Sequence, residues 1–247
     1  MFKFFWGKGS QHSAERLQIQ KELFQFQKTI QHGFPSKPSA LAWDPVLRLL
    51  AIATKGGAIK VFGAPGVEFY GHRDKEVNVS HLYFIPGQGR IISLSDDNSL
   101  DLWEMVAENA PTLKCVQSQS LEGNPSVLSS TGNPKTDDVS HLFASWRNRL
   151  KKISACCVES TGEKFLIGTE NGNIYVMDLR KFDMTDSVIY LDVVMQNVAE
   201  DFKVNPGAVE SISEQPGHPD RILIGYTRGL LVLWNRKTLS ADQVCCK

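Results

Sequence analysis

Apolar and polar residues alternate with a period of two along four separate stretches of this chain, and each stretch is entered through a tight polar turn. Ala53-Thr54-Lys55-Gly56-Gly57-Ala58-Ile59-Lys60-Val61-Phe62-Gly63 is one. The second is Leu94-Ser95-Asp96-Asp97-Asn98-Ser99-Leu100-Asp101-Leu102-Trp103-Glu104. Gly168-Thr169-Glu170-Asn171-Gly172-Asn173-Ile174-Tyr175-Val176-Met177-Asp178 and the run from Ile224 to Asn235 complete the set. Aligned on the turn, all four place a small, turn-prone residue (Gly57, Asn98 or Ser99, Gly172, Gly229) just ahead of the alternating run. A turn that needs positive φ, followed by a strand with one buried face, predicts a β-hairpin at each position.

Two more short strands are predicted in each repeat. Ser39–Trp43 is answered by Ser80–Phe84, Ile153–Val158 and Val209–Ser213. Each is followed by a polar turn and then by a mostly apolar strand: Leu49–Ala53, Ile91–Leu94, Phe165–Gly168 and Ile222–Gly225. The first turn-to-turn spacing fits the 40–45 residues of a WD-repeat blade, and the later ones fit a blade plus an insertion. Trp103-Glu104 and Trp234-Asn235, which end two of the strands, are weakened WD dipeptides. The predicted fold is therefore all-β, an incomplete WD-repeat β-propeller of about four blades.

Ahead of the repeats, residues 13 to 31 have helical periodicity. Ile19, Leu23, Phe26 and Ile30 recur at helical spacing, Ser13 is a plausible N-cap, and Pro35 and Pro38 stop the helix beyond Gly33. An N-terminal amphipathic helix follows, either a cap on the next domain or a helix for a partner or membrane surface. The preceding octapeptide interleaves Phe2, Phe4, Phe5 and Trp6 with Lys3 and Lys8, the chemistry of an interfacial anchor. These six residues are the candidate membrane contact. The expected domains are residues 1–34, the basic aromatic N-terminus with its helix, and residues 35–247, the partial propeller.

Two insertions interrupt the repeat. Residues 106–148 are rich in Pro, Gly, Asn and Ser and are expected to be a flexible loop. Ser187–Val194 is expected to be the outermost strand of the following blade. At the end of the loop, Arg147, Arg149, Lys151 and Lys152 cluster beside Trp146 and form the candidate contact for an anionic partner.

Composition narrows the function classes. The 247 residues carry 27 basic and 27 acidic side chains, and this neutral balance argues against nucleic-acid binding. No run reaches the roughly 18 apolar residues of a spanning helix, and no signal peptide is recognisable, so a cytoplasmic chain is expected. The five cysteines (Cys115, Cys156, Cys157, Cys245, Cys246) lack disulfide or zinc spacing and read as reduced thiols. Six scattered histidines form no triad or metal pattern, and Asp96-Asp97 sits on a tight turn where Asp is expected anyway. No catalytic residue, metal or cofactor is predicted.

Several phrases go beyond general WD-repeat consensus: Gln31-His32-Gly33-Phe34-Pro35 with Pro38-Ser39-Ala40-Leu41-Ala42 and Asp44-Pro45, Gly56–Glu68, Gly168–Tyr175, and Ile224–Leu230. In these the chain resembles the lethal giant larvae family, with tomosyn a more distant relative. The resemblance implies a non-catalytic scaffold for cell polarity and regulated exocytosis, associated with the cell cortex and plasma membrane. Implied partners are syntaxin-type SNAREs, non-muscle myosin II and a polarity complex containing atypical protein kinase C. A general WD-repeat adaptor subunit is the alternative, and a propeller enzyme is the third reading. The family's phosphorylated basic segment has no match here, so phosphoregulation is not implied. Family members have two seven-bladed propellers in tandem, whereas this sequence has strands for four blades, as an N-terminal fragment or truncated isoform would. An exposed apolar face on the last blade and marginal stability are the expected consequences.

Overall fold

The second strand of each of the first three blades is a nearly continuous apolar run buried on both faces of its sheet, and the chain stacks its sheets in sequence order. The structure, a computed structural model, describes residues 14–23, 33–73, 75–107, 111–121, 152–196, 198 and 203–245. Residues 1–33 and 34–247 form two separate compact units. Blade 1 consists of β1 (Pro38–Asp44), β2 (Leu49–Thr54), β3 (Ala58–Phe62) and β4 (Glu68–His72). Blade 2 has β5 (Val79–Ile85), β6 (Arg90–Ser95), β7 (Ser99–Val106) and β8 (Thr112–Ser120). Blade 3 has β9 (Ile153–Val158), β10 (Lys164–Thr169), β11 (Ile174–Asp178) and β12 (Asp183–Ile189). Blade 4 has β13 (Val209–Gln215), β14 (His218–Tyr226), β15 (Leu231–Asn235) and β16 (Ser240–Cys245). Each blade is an antiparallel meander in chain order, and one parallel bridge, Tyr70 to Thr112, joins the outer strands of blades 1 and 2.

The inner strand of each blade lies against the blade before it: β5 on β1 and β2, β9 on β5, and β13 on β9 and β10. The core is accordingly three seams between sheets. Ala51, Ile59 and Val61 of blade 1 meet Leu82, Ile91 and Trp103 of blade 2. Ile92, Leu100 and Leu102 of blade 2 meet Phe165, Ile167 and Met177 of blade 3. Leu166, Ile174 and Val176 of blade 3 meet Ile212, Ile224 and Trp234 of blade 4. This repeated stacking is the predicted partial propeller.

All four predicted hairpin turns carry positive φ, at 84° for Gly57, 58° for Asn98, 85° for Gly172 and 87° for Gly229. In the second repeat it is Asn98, not Ser99, that takes the left-handed conformation.

Two expectations about the insertions need correction. Residues 112–120, expected to belong to a flexible loop, form β8 and complete blade 2. Among its residues only Leu113 is buried, so backbone pairing with β7 places this outer strand and no apolar pattern announces it. Residues 122–148 lie outside the described residues. The strand expected at 187–194 is also different. β12 runs over Asp183–Ile189 and pairs with β11, so it closes blade 3 itself and not the following blade. Beyond Tyr190 the chain turns into a short helix, α2 (Leu191–Met195), which buries Val194 in the seam between blades 3 and 4. The Leu191 amide donates to Asn173 Oδ1 at 2.9 Å, tying the start of this helix to the turn between β10 and β11.

At the N-terminus, α1 covers Ala14–Leu23. Ile19 and Leu23, two of the four predicted apolar positions, are both exposed. Ser13, Phe26 and Ile30 lie outside the described residues. No helix among the described residues is long and apolar enough to cross a membrane.

Candidate functional site

Strand register makes the four blades comparable position by position. The row that faces the preceding blade is Leu41-Ile52-Lys60 in blade 1 and Leu82-Ser93-Asp101 in blade 2. It is Cys156-Ile167-Tyr175 in blade 3 and Ile212-Ile224-Val232 in blade 4. Blade 2 thus has polar groups where blade 4 is aliphatic. Ser93 uses its hydroxyl to accept a hydrogen bond from Trp103 Nε1 at 2.9 Å. In blade 4 the matching pair is Ile224 and Trp234, and Trp234 Nε1 is buried without a hydrogen-bond acceptor.

Asp101 is fully buried, and Arg73, arriving from the segment between blades 1 and 2, answers its charge. Arg73 Nη1 lies 3.2 Å from Asp101 Oδ2 and donates to Ser99 Oγ at 2.8 Å and Ser95 Oγ at 3.3 Å. Ser118 of β8 donates to Asp101 Oδ1 at 2.5 Å. Burial pushes the Asp101 carboxyl up, and Ser118 and Arg73 oppose it only in part. Nearer solvent, Asp97 behaves oppositely. Burial is the largest single influence and raises it, but hydrogen bonds from Ser99 and the charges of Arg73 and Lys75 together hold it below the usual carboxylate range.

The other seams are tied in similar fashion. The Ile153 amide donates to Asn98 Oδ1 at 2.9 Å between blades 2 and 3. Arg236 pairs with buried Glu159, Ser154 Oγ donates to the Val209 carbonyl at 2.6 Å, and the Ser160 amide donates to Glu214 at 3.0 Å between blades 3 and 4. In these seams Asp101 and Glu159 are each paired with an arginine and Glu214 accepts from Ser160, which serves to hold sheets together. Among the described residues no three His, Cys, Asp or Glu side chains are placed to hold a metal ion. Cys156 and Cys157 point to opposite faces of β9, and burial pushes both thiols up, away from the reactive thiolate form.

One outward groove among the described residues lies on the far side of blade 4. The groove, of about 470 Å³, is lined by Ser211, Gly225, Tyr226, Thr227, Leu231 and Cys245, among others. Leu223 and Leu231 stand 44% exposed beside it. Their counterparts, Ala51 and Ile59 in blade 1, Ile92 and Leu100 in blade 2, and Leu166 and Ile174 in blade 3, are all at 0%.

Of the residues singled out from sequence, Phe2, Lys3, Phe4, Phe5, Trp6, Lys8, Arg147, Arg149 and Lys151 lie outside the described residues. Lys152 is exposed, and its carbonyl accepts the Glu170 amide at 3.0 Å. Sequence reasoning missed the Arg73–Asp101 cluster and the blade 4 groove. Aligning the third strands would have exposed the first, because Asp101 shares its column with Tyr175 and Val232.

No family model matches the sequence. The chain is 43% identical over 249 residues to the Lethal(2) giant larvae protein of Drosophila melanogaster, covering 98% of this chain and 19% of the fly protein. Over the matched stretch the chain belongs to the lethal giant larvae family. It is 39% identical to the rat Lethal(2) giant larvae protein homolog 1, covering 99% of this chain and 22% of that protein. Another family member, the human LLGL scribble cell polarity complex component 2, is 38% identical over 228 residues, covering 91% of this chain and 20% of its own length. The chain therefore spans about one fifth of the length of the relatives it matches. Among solved structures, the β-propeller domain of Myceliophteria thermophila Cps50 (Swd1) superposes with a TM-score of 0.51 at 14% identity, covering 82% of this chain and 53% of that domain. That likeness is one of fold, and it agrees with the blade stacking.

Proposed function

We propose that this chain is a non-catalytic docking scaffold acting in cell polarity and regulated exocytosis, cytoplasmic and peripherally attached at the cell cortex. The observation that carries this reading is the 37–43% identity, over nearly the whole chain, to lethal giant larvae relatives, some of which are named as components of the scribble cell polarity complex. The internal chemistry supports it. Seam carboxylates are closed off by Arg73, Arg236 and serine hydroxyls, which leaves hairpin loops and blade faces to meet other molecules. Its partners are proteins: a syntaxin-type SNARE, non-muscle myosin II and a polarity complex with atypical protein kinase C. Phe2, Phe4, Phe5 and Trp6 with Lys3 and Lys8 assist at anionic membrane, because aromatic insertion and charge attraction hold a surface together better than either alone. Arg147, Arg149, Lys151 and Lys152 offer a second basic contact.

The test uses the purified chain on a sensor surface, probed with a syntaxin cytoplasmic domain, a myosin II tail and the kinase complex. The full-length fly relative serves as positive control. Saturable binding of at least one of the three is expected. Retention of these proteins by the fly relative but of none by this chain would overturn the assignment for this chain.

A further inference from the structure

The seam between blades 3 and 4 departs from the other two at one matched pair of positions. Strand register puts Trp43, Phe84, Val158 and Glu214 in one column, near the end of each inner strand. Phe84 and Val158 pack there into the seams between blades 1 and 2 and between blades 2 and 3. Glu214 brings a carboxylate to the same place. Two residues further on the chain turns, and three blades have proline in that slot: Pro45, Pro86 and Pro216. Proline is preset for the φ such a turn needs, so the fold requires no side-chain donor at this position. Blade 3 has Ser160 instead. Its hydroxyl donates to Glu214 Oε1 and its amide to Glu214 Oε2 at 3.0 Å, from blade 3 to blade 4. Both sides of the seam have thus exchanged the usual residue type for one half of a polar latch.

The latch is open to solvent on the blade 3 side. Ser160 is exposed, as are Thr161 and Glu163 in the same turn. Glu163, three residues beyond Ser160, pairs with Arg180 at the surface, and an ion pair this exposed gives way readily to a competing partner. We propose that Ser160 is a phosphorylation site for an acidophilic serine kinase, one that reads a carboxylate three residues after its acceptor, and that the phosphate opens the rim of the seam between blades 3 and 4. The kinase transfers the γ-phosphoryl group of ATP. The Ser160 Oγ–P bond forms, the P–O bond to ADP breaks, and the hydroxyl proton passes to the base of the kinase. The product carries a charge of about −1.5 to −2 at neutral pH, and the donor to Glu214 is gone. Glu214 then meets a like charge where it had a hydrogen bond. The neighbouring guanidinium groups are already engaged, Arg236 with buried Glu159 and Arg180 with Glu163. The inference goes beyond the scaffold reading, and its failure would leave partner binding untouched.

The experiment treats the full chain with ATP and a purified kinase of the casein kinase type, maps phosphate by mass spectrometry and follows amide hydrogen exchange. Ser160 is expected to take up phosphate, and Ser160→Ala should take up none in this turn. Glu163→Gln should slow the uptake at least about tenfold, since it removes one charge-assisted contact with the kinase. In the phosphorylated chain the amides of Ser160 and of β13 should exchange at least about tenfold faster than before treatment. The amides of β2 and β3, two seams away, should keep their rates. Glu214→Gln separates charge from bulk, because its side chain keeps the shape and its amide can donate to the phosphate. Phosphorylation of that variant should leave exchange at the seam unchanged or slower. Each variant is compared with its own untreated form, so a shift in its starting stability does not enter. A folded chain that stays unmodified while a peptide of residues 157–166 is phosphorylated shows a turn closed to the kinase, and an unmodified peptide shows a sequence the kinase does not read. Either result overturns the site. Phosphate on Ser160 without faster exchange, or with equal acceleration in Glu214→Gln, overturns the opening of the seam.

Discussion

Asn98 does three jobs, two with its backbone and one with its side chain. It holds φ at 58° in the β6–β7 turn, its amide closes the turn onto Ser95 O at 2.9 Å, and its Oδ1 accepts the Ile153 amide across the seam. Asn98→Gly keeps the turn and orphans a buried amide, for an expected loss of about 1–3 kcal/mol. Asn98→Ala adds the strain of a left-handed alanine, about 1–2 kcal/mol more. Denaturant unfolding of both variants checks the order: equal losses would show that the left-handed strain contributes nothing, and an unchanged stability of Asn98→Gly would show the same of the seam bond. The sequence left Asn98 and Ser99 equally eligible because both residue types favour turns. Register decides between them, and register depends on how β6 and β7 pair over many residues. Arg73 was illegible for a related reason. Its partners Ser95, Ser99 and Asp101 lie 22 to 28 positions away, and only the stacking of blade 2 on the segment after β4 brings them together.

Among the elements, the inner strands and hairpins could be read directly from apolar alternation, and the outer strands could not. β8 and β12 have few buried side chains, since they pair by backbone at the rim and face solvent on much of their length. A pattern of buried faces does not report a strand that buries almost nothing. Gly168 is informative in the opposite sense. It has an ordinary φ, so its smallness serves the neighbouring blade and not its own backbone. Gly168→Ala drives a methyl into Val209 and should cost about 1–3 kcal/mol by overpacking the seam. Thermal melts should show the loss for Gly168→Ala, and Val209→Ala in the same chain should recover part of it by making room. A double variant no more stable than Gly168→Ala alone would refute contact between these two residues as the cause.

For the blades taken together, the extensive contacts between sheets among the described residues join neighbours in the stack, so stability is close to a sum over seams, much as in a linear repeat. Leu102→Ala, which leaves a cavity in the seam between blades 2 and 3, should cost about 2–5 kcal/mol. Hydrogen exchange should then quicken most in β6, β7, β10 and β11, with the amides of β2 and β3 keeping more of their protection. Uniform acceleration in every blade would mean one indivisible cooperative unit instead.

Local patterning was sufficient for the strand type, the four turns and the repeat, because those follow from a few neighbouring residues and the demands of φ and a buried face. Motif phrases carried the family. Pairing between distant segments supplied the rest: which strand closes which blade, the buried Arg73–Asp101 contact, and the uncovered face at Leu223 and Leu231. Whether a leucine on a strand is core or surface depends on what packs against it, and nothing adjacent in the chain encodes that.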